Sequence, residues 1–437
     1  MAEVYDRWHK SLPKEDEPEC PEHKGKVRSA DHGKGKRWQV RYRDANGAQK
    51  KENFAKKSEA DDRADEVGTD LRRGAFVDPK LGKQSFKAVA EQWRANSVHR
   101  PSTADRVNRG LKNHAYPLLG DRPIAAIRTS EIRKWVKDRS EVLAPSTLRV
   151  NYSYIVSVFR MAVLDRIIGA NPCDPIELPE AMKQEVEALP VEVVEALIAG
   201  MTRRYRALLR LAAGTGLRQG EPFALEVDHF DFLRRTVRVQ QQLIHSDHGG
   251  EPYIGQLKTK QSYRTVPVAA FLVEEVAAFL ASFPAREVEI WDRTDPRKPV
   301  LRKARLIFTN TRDRAIRRGA WSKVWAVAVQ HANESFAAEA KRRGAPTALA
   351  VPEWASMHSL RHFYASLLIR AGENVKTVQR RLGHAQPSIT LNTYAHLWPD
   401  AEDTSRAAVE AAFGRGSALD VPSPKLNSVK QQVRVVS

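Results

Sequence analysis

Apolar residues alternate with polar ones early in the chain and later recur every three to four positions. Trp38, Val40 and Tyr42 alternate with Gln39, Arg41 and Arg43. A period of two predicts a strand with one apolar and one basic face. Asn46-Gly47 predicts a hairpin turn after it. Ser58 and Asp61 read as a capping box opening a helix to about Arg73. The stretch "VDPKLGKQ" reads as a linker. From Ser85 the rhythm is helical, with Phe86, Val89, Ala90 and Trp93 on one face. A turn in "PLLGDRPIAAIRTSEIRKWVKDR" precedes a helix starting near Thr129. Ser146 is placed to cap another, whose stripe is Leu148, Tyr152, Ile155, Phe159 and Ala162. Gly and Pro in "IIGANPCDPIELP" close this helical segment.

Beyond about Glu185, "YRALLRLAAGTGLRQGEPFALE" predicts two short helices around a glycine turn. "RRTVRVQQQ" and "LKTKQSYRTVPV" predict strands of a small sheet. Helices are expected over 358–370 and 374–382. In the first, Leu360, Phe363 and Leu367 form the anchoring face, and His358 and Arg361, three apart, share another. Gly372 and Gly383 end the two helices, and Asn374 can cap the second. Val375, Val378 and Leu382 make its stripe, and Ile389 and Leu391 join Leu382 in the packing. Val409 and Phe413 lie four apart on a last small amphipathic helix. Segments 281–305 and 332–352 read as insertions. Residues 1–30, polar with interleaved Pro, Glu and Lys, and 414–437 are expected to lack fixed structure.

A length of 437 residues suggests about three domains. The expected fold is multi-domain α+β. A sheet-plus-helix domain spans 31–80, an all-α domain 85–180, and a mainly α domain with a small antiparallel sheet 185–413. No run reaches about 18 apolar residues, so no membrane span is expected, and no signal peptide opens the chain. Two distant cysteines, Cys20 and Cys173, make no disulfide framework and suit a reducing cytoplasm. Cys20 and His23 form a lone C-x-x-H without a second ligand pair, so no metal is expected. No phosphate-binding G-x-x-x-x-G-K-[ST] loop for ATP occurs.

The net charge of +19 changes the picture. It exceeds the charge of about 2–8 that keeps a small domain soluble, and points to a polyanion such as nucleic acid. Between Lys24 and Lys57 there are twelve Lys/Arg against three Asp/Glu. The face carrying Arg37, Gln39, Arg41 and Arg43 is a candidate for a DNA groove, favoured over the plainer reading of a solvated sheet protected by charge.

Candidate chemistry gathers downstream. Arg218 follows a glycine turn near a helix start, where amide dipoles and a guanidinium fork both favour an anion; a surface pair with Glu221 is the plainer reading. Lys258 and Lys260 lie in a basic stretch. His358 and Arg361 sit on a helix, His384 follows Gly383, and Tyr394 comes ten residues later. Two arginines, a lysine, two histidines and a tyrosine suit attack on a phosphodiester. Arginines hold phosphoryl oxygens without proton exchange. A tyrosine can form a covalent phosphotyrosine. With a free pKa of about 10 it needs nearby cations or a base.

"GTGLRQGE", "LKTKQSYRTVPV", "HSLRH" and "LGHAQPSITLNTYAHL" occur in this order, and the chain from about 30 to 413 resembles the tyrosine recombinase (phage integrase) family. The resemblance implies that 31–80 is an arm-type DNA-binding domain, 85–180 a core-binding domain and 185–413 the catalytic domain. It implies that Arg218 and Arg361 clamp the scissile phosphate. His358 assists proton transfer, Lys258 is the general acid and His384 bonds the phosphate. Tyr394 attacks to give a 3′-phosphotyrosyl link and a free 5′ hydroxyl. Either Lys258 or Lys260 could be the acid, with Lys258 matching the family pattern better. Strand exchange then needs neither ATP nor a cofactor. Implied partners are double-stranded attachment sites, a homotetramer on DNA, a recombination directionality factor and a host DNA-bending protein, all in a bacterial cytoplasm at the nucleoid. A type IB topoisomerase would use a similar constellation but needs no second DNA site. A non-catalytic DNA-binding protein would not need all six residues.

Overall fold

The computed structural model describes residues 2–44, 47–74, 76–78, 80–174, 176–180, 185–245, 250–346, 349–398 and 402–413. Asn46 of the expected turn and the tail 414–437 lie outside them. The chain divides into two units, Met1–Lys183 and Gln184–Ser437.

The first unit opens with a three-stranded antiparallel sheet, β1 (Glu3–Asp6), β2 (Trp38–Arg43) and β3 (Gln49–Phe54), with β2 in the middle. Helix α1 (Lys57–Arg73) packs on one face, where Val40 and Tyr42 meet Ala60, Ala64, Val67 and Phe76. The alternation expected of β2 thus has its cause in a one-sided core. The expectation of an unstructured first thirty residues fails: β1 pairs along β2 with Glu3 opposite Arg41 and Asp6 opposite Trp38. Its register, like the loop that follows, depends on long-range partners that local composition does not reveal. Ser58 also fails as a cap. The α1 N-cap is Lys56, with no side-chain bond, and Ser58 lies inside the first turn.

The same unit continues with α2 (Phe86–Asn96), α3 (Pro101–Gly110), α4 (Tyr116–Leu119), α5 (Thr129–Ser140) and α6 (Pro145–Leu164). They enclose Phe86, Ile132, Trp135, Ile155 and Phe159. The Ser85 hydroxyl caps α2 by accepting from the Ala88 N–H at 3.2 Å. For α6 the start signal is Pro145 at the first helical position, with Ala144 at the N-cap, so Ser146 is not the cap.

The second unit comprises α7 (Val191–Gly200), α8 (Arg203–Thr215), α9 (Gly220–Phe223), β4 (Phe230–Asp231), β5 (Thr236–Val239), β6 (Gln242–Ile244), β7 (Tyr253–Gly255), β8 (Arg264–Pro267), α10 (Ala270–Ser282), β9 (Arg286–Arg293), β10 (Val300–Leu306), α11 (Arg318–Arg343), α12 (Met357–Arg370), α13 (Val375–Leu382), α14 (Pro387–Tyr394) and α15 (Glu402–Phe413). Two small sheets form, in the orders β4-β5-β8 and β10-β9-β7-β6, and β7 runs parallel to β9. Segment 281–305 supplies most of the β9–β10 hairpin, and 332–352 includes the end of α11. The main core lies around α8, whose Leu208, Leu209, Leu211 and Ala212 are fully buried. No helix among the described residues is long and apolar enough to cross a membrane.

Candidate active site

Three consecutive carbonyls at the C-terminal end of α13 each accept from an arginine. Arg264 Nε donates to Arg381 O at 2.8 Å, Arg361 to Leu382 O, and Arg218 to Gly383 O at 3.2 Å. A helix end leaves its last carbonyls without intrahelical partners and carries partial negative charge, so cations gather there. The turn itself is made by Gly383 at φ +65°, where a Cβ would come 2.9 Å from Gln261 O. Arg361 also donates to Gly216 O at 2.8 Å, at the left-handed turn that ends α8. Two turns far apart in sequence are thereby tied through one buried guanidinium.

Glu221 is the buried counter-ion. Its carboxylate accepts from Arg264 at 2.7 and 3.2 Å and from Arg218 at 3.2 Å, and it also accepts the Arg218 backbone N–H at 2.9 Å. Burial would raise its pKa, but Arg264 first, then Arg218 and Arg361, hold it below the usual carboxylate range. One carboxylate among three guanidiniums leaves this cluster net positive. Burial, then repulsion from Arg218, pushes the Arg361 pKa down to about 9, so it stays charged at neutral pH. The plainer reading of Arg218, a pair with Glu221, is present, yet about a quarter of the Arg218 side-chain surface stays open.

The histidines are neutral. Desolvation, followed by Arg361 and Arg218, lowers the His384 pKa to about 3. Its Nδ1 is 2.9 Å from the Thr390 hydroxyl. His358, on the exposed side of α12, is held below the usual imidazole range by desolvation and by Arg361, Arg218 and Lys258. Lys258 therefore acts electrostatically on His358. Lys258 and Lys260 do not share a strand as expected. Lys258 lies in a bend and Lys260 opens a short 3-10 turn, Lys260–Ser262, before β8. The chain leaves one sheet at β7 and enters the other at β8, which breaks the strand between them.

Tyr394 ends α14 with 1% of its surface exposed. Its ring packs with Tyr364, Ala365, Ile369, Val378 and Leu382. Its hydroxyl is hydrogen-bonded to His362 Nδ1 at 2.8 Å. Burial raises its pKa to about 12, with Arg361 and Arg218 opposing the rise. Desolvation, then His358 and Arg361, brings His362 down to about 4. Sequence reading missed His362, Arg264 and the central place of Glu221. His362 was visible as the last letter of "HSLRH", but its side-chain direction was not. Two packing expectations also fail: Leu367 is 37% exposed, and Ile389 and Leu391 are each 42% exposed. The inward stripe of α12 instead includes Arg361, Tyr364 and Ala365, and α14 buries Thr390 and Tyr394.

In the first unit, the polar face of the sheet carries Gln39, Arg41 and Arg43 beside Gln49, Lys51 and Asn53 of β3. Gln39 is buried and donates to Asn53 at 2.8 Å. Arg41 lies over the Tyr5 ring at 4.4 Å, and Arg43 donates to Gly47 O at 3.1 Å. Arg37 is engaged elsewhere: it forks onto Asp6 at 3.1 and 2.9 Å.

Comparison with known proteins follows this layout. The model of the phage integrase family matches residues 187–400, and that of the phage integrase central domain matches 86–178. A XerC-like tyrosine recombinase of Caldanaerobacter subterraneus subsp. tengcongensis is 27% identical over 381 residues, covering 82% of this chain and 90% of the relative. The integrase of Mycobacterium phage FRAT1 is 25% identical, covering 75% of this chain and 89% of its own. The transposase from transposon Tn916 of Enterococcus faecalis is 26% identical, covering 85% and 84%. Among solved structures, the Tn1549 transposon integrase in complex with transposon right-end DNA superposes with a TM-score of 0.60 at 20% identity. It covers 76% of this chain and 100% of that one.

Proposed function

The chain belongs to the phage integrase family of tyrosine recombinases, DNA breaking-and-rejoining enzymes, and from that premise we propose how its own residues perform the reaction. Tyr394 is the nucleophile. Arg218 and Arg361 hold the non-bridging oxygens of the scissile phosphate, where charge grows in the transition state. His384 donates a further hydrogen bond, which a neutral imidazole does from Nε2 when Nδ1 accepts from Thr390. His358 assists proton transfer, and Lys258 protonates the departing 5′ oxygen. His362, neutral and bonded to the Tyr394 hydroxyl, orients the phenol and can receive its proton. The reading rests on one observation above all. The hydroxyl of Tyr394 is bonded to an imidazole able to accept its proton, within the electrostatic reach of Arg361 and Arg218.

Burial of Tyr394 implies that DNA must draw the nucleophile out before cleavage. The sheet face with Arg41, Arg43 and Lys51 contacts a second, arm-type DNA site through residues 31–80. Residues 85–180 bind the core site and 185–413 catalyse. Exposed Val409 and Phe413 on α15 dock on a neighbouring subunit in a tetramer on DNA. The enzyme integrates or excises a phage or other mobile element in the cytoplasm of its host. A duplex bearing the attachment site, nicked beside the cleavage point, tests this. The chain should form a denaturation-resistant adduct and Tyr394→Phe should form none. An adduct that persists in that variant refutes the assignment.

A further inference from the structure

The longest stretch without an apolar core lies between β1 and β2. Thirty-one residues, Arg7 to Arg37, hold neither strand nor helix, and their buried residues are His9 and Cys20. Loops this long need a fixed cross-link or a function to stay ordered. Yet the segment is tightly organised. His9 bridges to Arg28 and Glu19 to Val27. A turn closes from the Cys20 N–H to Lys26 O at 2.6 Å, with the His23 N–H to Cys20 O at 3.3 Å. That turn presents Cys20 and His23 to the same side.

We propose that His9, Cys20, His23 and His32 form a structural zinc site that holds this segment against the N-terminal sheet. One donor atom from each lies within 4.8 Å of every other. Cys20 Sγ is 3.5 Å from His23 Nδ1 and 3.3 Å from His32 Nε2. A tetrahedral zinc, with bonds of about 2.0–2.3 Å, spaces its ligand atoms roughly 3.3–3.8 Å apart. The three imidazole rings crowd together at centroid distances of 4.8, 5.4 and 5.6 Å. A thiol donates one proton and its sulfur accepts only weakly, so hydrogen bonding gives little reason for three rings to gather around one sulfur.

A second observation is independent of that clustering. His9 is buried, and its Nε2 has no hydrogen-bond partner. Its other nitrogen, Nδ1, is 2.8 Å from Asp6 Oδ2. A carboxylate that orients the far nitrogen of a ligating histidine is the usual support of a metal site. Asp6 is itself held by Arg37 and by Lys26 at 2.9 Å. This also explains why Arg37 is turned away from the DNA-facing strand positions. Three imidazoles and one thiolate suit zinc by donor type, and four protein ligands leave no open position for catalysis. The Cys20–His23 spacing alone gave no reason to expect this site, because His9 and His32 lie outside the short span of a C-x-x-H pair.

Metal content of the untagged full chain, purified without chelator, tests the proposal. About one zinc per chain should survive dialysis, and Cys20→Ser or His32→Ala should lose it, whereas Cys173→Ser should keep it. Cobalt exchanged into the chain should give the visible bands of a tetrahedral site with a thiolate charge-transfer band. His32→Cys should retain the metal and strengthen that band, which guards against loss of metal by simple misfolding. Chelation should expose Lys24, Lys26 and Arg28 to trypsin. Less than a tenth of an equivalent of metal, or a full equivalent retained in both Cys20→Ser and His32→Ala, overturns the site.

Discussion

Tyr394 and His362 make the residue-scale question one of protons. Buried Tyr394 keeps its proton up to about pH 12 in the folded chain, against 10.0 for the free side chain. A raised folded-state pKa stabilises the fold below pH 10 and loses that contribution as pH climbs through about 12. Because His362 is already neutral and takes the phenol proton within the step, adduct formation limited by chemistry should stay level between about pH 6.5 and 9 in a pH–rate profile; a rate rising steadily over that range would show that free phenolate attacks instead. The imidazoles work in the opposite sense. Their depressed folded-state values, about 4 for His362 and about 3 for His384, stabilise the fold above 6.5 and fail as pH drops through those values. Melting temperature should hold from pH 8 to 6.5 and fall between 6.5 and 4, with His362→Gln reducing the slope. Tyr394→Phe should abolish the adduct while changing stability by about 1 kcal/mol, the net worth of one hydrogen bond, in urea unfolding.

At the scale of elements, the end of α13 joins three arginines to one turn. Glu221→Ala strands Arg264, which is only 5% exposed at its side chain, without its counter-ion. Breaking such a buried pair costs about 3–5 kcal/mol, so urea melts should show it more clearly than any single arginine change on the surface. Gly383→Ala combines a left-handed backbone with a Cβ against Gln261 O. It should cost at least about 1 kcal/mol and shift the 3-10 turn after Lys258, lowering adduct yield more than DNA affinity. Normal adduct yield in Gly383→Ala would show that the turn does not position the lysine. These elements were legible from the sequence as helices ended by glycines. What they bury was less so: Arg361 sits inward and Leu367 outward, because tertiary neighbours rather than the helical period chose the face.

For the whole molecule, the chain divides into two units with several cores. Deleting residues 1–80 should leave cleavage of a core-type site within a fewfold of the full chain while impairing integration between two sites; unchanged integration would remove the arm-binding role. DNA affinity should fall steeply with salt, since each phosphate contact releases counterions, and a filter-binding series checks the slope.

Local sequence determined much of this protein by itself: the β2 alternation, the α12–α13 pair with its glycine ends, the basic charge, and the order of Arg218, His358, Arg361, His384 and Tyr394. Each is a short-range pattern, set by strand or helix period, by glycine at positive φ, or by residue type along one segment. Tertiary structure alone decided the rest. Glu221 became a hub because Arg264 of β8 reaches it from 43 positions away and Arg218 from its own turn, the same two arginines that hold the end of α13. His362 met Tyr394 across 32 positions. The same holds for His9 and His32, which meet Cys20 and His23 only because β1 folds back along β2. Such meetings depend on chain closure over long separations, which no local period encodes.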